Sequence, residues 1–235
     1  MPINRSVLAK GATGGNSGTG GTPADPGARS GILAGASFIV GVAAAMRLAD
    51  APYPRPGSEP ADVRRYFRGN PGAARISAVG QLVSATALAR FTASVASLAS
   101  RSGRGSRGLR TAAVAGGVLA AASLATSALL AAALTGRRGE QESDAAALHR
   151  WGFVAGGPVH GAGFGLLVGS LGLAGLRTGE LPRPLAVAGL ASAAAGLLSP
   201  LYFVAKPAAW LIPVGRFSGL LVSAIAGARL GRRPR

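Results

Sequence analysis

The sequence predicts an all-α, polytopic integral membrane bundle with six transmembrane helices, and three observations carry that prediction. Six long apolar stretches contain no Asp, Glu or Lys. All eight acidic residues (Asp25, Asp50, Glu59, Asp62, Glu140, Glu142, Asp144 and Glu180) fall between or outside them. Strand-type alternation is absent and Ala and Leu dominate, which excludes a transmembrane barrel. Composition agrees: of 235 residues 49% are apolar and only 14% charged, against roughly 25% charged in a soluble domain.

A helix crossing the roughly 30 Å hydrocarbon layer needs about 20 apolar residues. Residues 1–30 hold a Gly/Ser/Thr/Pro tract from Gly11 to Gly27 and read as a disordered tail, because such a composition buries no core. The transmembrane domain follows over 31–230. Its first helix spans 31–49, and Pro52 after Asp50 together with the long lead argues for a retained span over a cleaved leader. The second spans 76–98. The third, 111–135, and the fourth, 151–176, carry no formal charge and are long enough to cross with tilt. The fifth spans 185–205 and the sixth 207–228, leaving a basic C-terminal tail at 231–235. In the 51–72 connection Ser58 is a candidate cap for a short helix through Arg68, with Val63 and Phe67 on one face. Two settings for it remain open, the membrane surface and a solvated connector.

Basic residues in the loops orient membrane helices. The side holding both termini, the 99–110 loop and the 177–184 loop carries 13 basic residues, against 10 on the other. Six of the eight acids lie on the second side. Both termini are therefore expected in the cytoplasm of a cell (inner) membrane. Trp151, Tyr202 and Trp210 then fall at the outer helix ends, where amphipathic rings favour the interface.

Arginine inside hydrocarbon is costly and needs an explanation. Arg47 and Arg90 lie close enough to helix ends to snorkel. Arg216 lies nine residues past Pro207, near mid-span, beside Pro213 and Gly215. No acid is available at its depth. Its donors must go to carbonyls freed by Pro213 and Pro200, to water, or to an anionic ligand. His160, nine residues past Trp151, is expected at the same depth, where a neutral imidazole both donates and accepts hydrogen bonds. The pair marks a candidate polar pocket between the fourth and sixth helices, with a packing histidine and an interfacial arginine as the plainer reading. Gly157, Gly161, Gly165 and Gly169 on the fourth helix, and Gly215 and Gly219 on the sixth, recur every four residues. Such rows let helices approach closely, so these two helices are expected to pack together.

No cysteine is present and the histidines number two, which removes thiolate and His-rich metal sites. No Walker loop, His-Glu-x-x-His set or nucleophile elbow occurs, so no cofactor, metal or catalytic residue is assigned. The loop carrying Arg101, Arg104, Arg107 and Arg110 is short and lacks aromatic stacking residues. It suits anionic lipid headgroups better than nucleic acid.

The segments Leu148-His-Arg-Trp-Gly-Phe153, Gly157-Pro158, Leu176-Arg-Thr-Gly-Glu-Leu-Pro-Arg183, Gly196-Leu-Leu-Ser-Pro200 and Pro213-Val-Gly-Arg-Phe217 resemble uncharacterised multi-pass membrane proteins of actinobacteria. The resemblance covers roughly 31–230, is clearest after 148, and departs at 184–186, where such proteins often carry a tryptophan. It implies six membrane helices and no activity. Three functional readings follow, in this order: a non-enzymatic protein binding a small anionic or lipidic ligand between helices 4 to 6; a small permease, for which a homo-oligomer is expected; and an intramembrane enzyme using His160 as base.

Overall fold

A computed structural model describes residues 25, 27–136 and 141–232, and every described element is helical. The expected tail lies outside the described residues through 24 and at 26, as do 137–140 in one loop and 233–235 of the basic C-terminus. Eight α-helices run α1 (Ser30–Leu48), α2 (Pro60–Gly69), α3 (Pro71–Ser100), α4 (Ser106–Leu134), α5 (Glu142–Val154), α6 (His160–Thr178), α7 (Arg183–Leu198) and α8 (Leu211–Leu230). A π-helical turn, Ala155–Val159, joins α5 to α6. Two 3₁₀ turns, Ser199–Phe203 and Lys206–Trp210, stand between α7 and α8.

These elements make six spans long and apolar enough to cross a membrane. The fourth is continuous over Glu142–Thr178, 37 residues, or about 55 Å at 1.5 Å per residue. That exceeds the roughly 30 Å hydrocarbon layer, so the acidic start of α5 stands clear of it. There Glu142 pairs with Arg64 of α2 at 2.8 Å. Three spans begin with proline at the first helical positions (Pro71, Pro184 and Pro207), where the missing N–H costs nothing and φ is already helical.

The spans form a closed ring in chain order: α1 meets α3, α3 meets α4, α4 meets α6, α6 meets α7, α7 meets α8 and α8 returns to α1. Further contacts of α6 with α3 and α8 draw it inward. The core holds Leu88, Phe91, Leu124, Phe164, Leu167 and Leu171, all at most 2% exposed. Helix neighbours in lipid are chosen by close packing, since lipid tails are as apolar as leucine. Glycine supplies the closeness: a Cβ on Gly80 of α3 would lie 2.8 Å from Gly41 Cα of α1. At the end holding the chain termini, Gly103 (φ 79°) and Gly105 (φ 76°) adopt the left-handed backbone that turns α3 into α4. Residues 27–29, placed in the tail by composition, belong to the bundle: Ala28 is fully buried against Gly227 of α8, and Asp25 Oδ1 accepts from the Gly27 N–H at 2.8 Å.

The other end carries α2 and a second, smaller core. Val63 and Phe67, each 1% exposed, pack with Tyr66 on Ala74, Leu134 and Ala145; burying each such side chain stabilises by about 1.5–3 kcal/mol. The short helix thus seals the bundle end. Its cap differs from the expected Ser58. Glu59 occupies the cap position without a side-chain bond, and Pro60 opens the helix instead.

Candidate functional site

The π-helical turn decides the local geometry. Pro158 inside a continuous helix has no N–H and crowds the carbonyl four residues back, and widening the helix by one residue accommodates it. Hydroxyls from neighbouring spans take up nearby carbonyls: Ser127 of α4 donates to Gly152 O at 2.9 Å, and Ser199 to Pro158 O at 3.2 Å. In lipid such groups cannot be left to water. Gly156 brings this turn directly against Ser127.

Beside the turn lies a cavity of about 820 Å³ at the α2 end of the bundle. Its walls come from α1 (Phe38, Val42, Met46), α3 (Ala74, Ser77, Gln81), α4 (Ser127, Ala131, Leu134), α5 with its π turn (His149, Phe153, Gly157) and α8 (Ile212, Arg216). The loop from Ala49 to Pro56 lines its mouth. That loop is held at three points. The Asp50 N–H donates to Asn70 Oδ1 at 2.8 Å, and the buried Asn70 amide donates to Tyr66 O at 3.1 Å. His149 donates to the Pro54 carbonyl. The Tyr53 ring meets those of Tyr66, Phe67 and His149 at 5.3, 5.9 and 5.8 Å. Burial pushes the Tyr66 phenol above its ordinary pKa.

Arg216 lies five residues past Leu211, the first residue of α8, or about 7.5 Å along the helix. Counted over the whole sixth span, Lys206–Leu230, it stands ten residues from the start and near the middle, as the sequence placed it. Its guanidinium lies over the Phe38 ring at 5.1 Å. Nε and Nη2 are buried and have no acceptor among the described residues. The carbonyls near Pro200 and Pro213 therefore do not receive these two donors.

The expected location of the pocket needs correction. Neither α6 nor α7 lines the cavity, which sits among spans one to four and six, away from the predicted place between helices 4 to 6. His160 does not line it either. It is 3% exposed, its Nδ1 lies 2.9 Å from Ala120 O of α4, and its ring stacks on Phe164 at 5.5 Å. A carbonyl only accepts, so Nδ1 carries the proton. The Arg216 charge reaches His160 electrostatically, but no hydrogen bond joins them among the described residues. His160 ties α4 to α6.

The glycine rows pack otherwise than expected as well. Gly161, Gly165 and Gly169 face Ser199, Gly196 and Ala193, so their partner is the fifth span, α7 with its following turn. Gly215 of α8 also meets Gly196, at 2.7 Å from a built Cβ. The fourth and sixth spans also touch directly: Phe164 fills the space over Gly219, and Gly157 faces Ile212. Arg47 and Arg90 are exposed on the bundle surface. Of the four loop arginines, Arg101 is taken up by Glu180 (Nη2 to both carboxylate oxygens at 3.0 and 3.2 Å), while Arg104, Arg107 and Arg110 stay exposed.

His149, Gln81 and the Pro-rich loop are the site residues that sequence reasoning missed. Gln81 alone carried a signal, being an amide inside an otherwise apolar span. Together these features define the class, an all-α, multi-pass integral membrane protein with a largely apolar cavity at one end. Compared with protein-family models, curated proteins and solved structures, the chain matches none in any of the three.

Proposed function

We propose that this is a non-enzymatic ligand-binding protein of the cell membrane, and that its cavity takes a small anionic or lipidic amphiphile. One observation carries the reading: a guanidinium with two buried, unpartnered donors reaches a mostly apolar cavity of about 820 Å³. Leaving such donors unsatisfied costs about 1–3 kcal/mol or more for a charged group. A cavity of this volume lies within the roughly 300–1,000 Å³ of ordinary small-molecule sites. The serines at the cavity support binding over catalysis. Ser77 accepts from Gln81 and Ser127 donates to a backbone carbonyl, and no serine–histidine hydrogen bond occurs among the described residues. A permease needs a path to the other end, and there Leu88, Phe91, Leu167 and Leu171 fill the interior.

In this reading both termini are cytoplasmic, the cavity opens towards the outer face, and Arg104, Arg107 and Arg110 meet anionic headgroups. Kinship with the actinobacterial multi-pass proteins is part of the proposal and rests on the segments after Leu148.

A cavity-narrowing variant tests the binding reading. A Cβ on Gly157 meets nothing closer than 3.5 Å, so Gly157→Leu projects into the cavity without a backbone clash. Mass spectrometry of protein released from nanodiscs is expected to show a stoichiometric amphiphile on the parent chain and its loss in Gly157→Leu. Equal occupancy in both would contradict the reading.

A further inference from the structure

Resting on the cavity reading above, we infer that the ligand is a single-headed carboxylate amphiphile, whose head is taken by the Nε and Nη2 edge of Arg216 and whose hydrocarbon lies along the α1, α4 and α5 walls. Three observations select this class.

The two unpartnered atoms are Nε and Nη2. They carry the parallel N–H pair on one edge of the guanidinium, which matches the two oxygens of a planar carboxylate. Phe38 covers a face of the same group at 5.1 Å. A cation–π contact engages the face and leaves the edge donors unsatisfied. Both atoms are closed off from open space in the structure, so binding requires the side chain to turn this edge towards the cavity that Arg216 lines.

Charge selects a monoanion. Among the described residues lining the cavity, the formal charges are Asp50 and Arg55 in the mouth loop and Arg216 within. The mouth pair cancels, which leaves one cation to balance one negative charge. A phosphate dianion would keep a second charge in low dielectric without a partner, which is strongly disfavoured. A cationic head would face Arg216 directly.

The walls select hydrocarbon. Val42, Ala45, Met46, Ala131, Leu134 and Leu148 carry no side-chain nitrogen or oxygen. With Asp50 and Arg55 cancelling at the mouth, the one unbalanced cation is Arg216. The head therefore goes to Arg216 and the chain points to the mouth.

The experiment measures binding of four ten-carbon probes to the full chain in nanodiscs: decanoate, decyl phosphate, decanol and decyltrimethylammonium. Decanoate is expected to bind at least about tenfold more tightly than each of the others, one charge-assisted fork being worth about that factor. Arg216→Lys keeps the charge without the fork and is expected to weaken decanoate about tenfold while leaving decanol unchanged. Decanol or decyl phosphate binding as tightly as decanoate would overturn the carboxylate assignment and leave the cavity reading standing. Binding of none of the four would overturn both. The comparison of probes on the parent chain needs no variant, so a poorly folding Arg216→Lys leaves the test decisive.

Discussion

At the scale of single residues, two polar side chains at one expected depth have different fates, and hydrogen bonding separates them. His160 spends its Nδ1–H on the Ala120 carbonyl and its ring face on Phe164. Arg216 has only the face of Phe38. A buried group with its needs met is structural; a buried charge left with unmet donors asks for a partner. His160→Asn places a side-chain N–H where Nδ1–H stands. It is expected to fold and to bind decanoate as the parent chain does, read by thermal unfolding and by the nanodisc titration. Loss of binding at unchanged stability would return His160 to the site. Arg216 was legible in the sequence because an arginine without an acid in an apolar run is costly wherever it stands. The carbonyl that occupies His160 was not legible, since it belongs to an alanine forty positions away whose side chain carries no signal.

At the scale of elements, glycine sets which helices meet. Gly196 of α7 stands between two others: a Cβ there would lie 2.6 Å from Gly161 O and 2.9 Å from Gly165 Cα, and a Cβ on Gly215 would lie 2.7 Å from Gly196 N. All three neighbours are backbone and cannot swing aside. Gly196→Ala is expected to force α7 from α6 and lower stability by about 1–3 kcal/mol, measured as a fall in unfolding temperature in detergent. Gly72, with nothing within 4 Å, is the control, and Gly72→Ala should leave stability within about 0.5 kcal/mol. Equal effects of the two changes would contradict the packing account. The spacing of the glycines was visible in the sequence, whereas their partner was not. Hydropathy says that a face is small and is silent on which of five other apolar helices it meets. Likewise Pro158 announces a disturbed helix, but whether it kinks or widens depends on Ser127 and Ser199 being in place.

At the scale of the whole molecule, alternation of apolar spans with charged loops builds the ring. At the α2 end Glu142, in the first turn of α5, pairs with Arg64 of α2, and at the opposite end Glu180 pairs with Arg101. This level was the most legible, because the expulsion of carboxylates from hydrocarbon is a strong constraint acting at every position. The cavity's location was not, since it depends on how the 49–56 loop and α2 fold back over the bundle, and loops carry no hydropathy period. Sidedness has a direct check, the chain having no native cysteine. Arg55→Cys is expected to react with an impermeant maleimide on intact cells, and Arg107→Cys only after permeabilisation; the reverse pattern would place both termini outside.

The most direct test of the account is a density map of the full chain in a lipid nanodisc, at a resolution that shows side chains. Non-protein density bounded by Phe38, Gly157 and Ile212 and in hydrogen-bond contact with Arg216 is the predicted result. A cavity closed by its own side chains, with Arg216 extended to the headgroups, would contradict it.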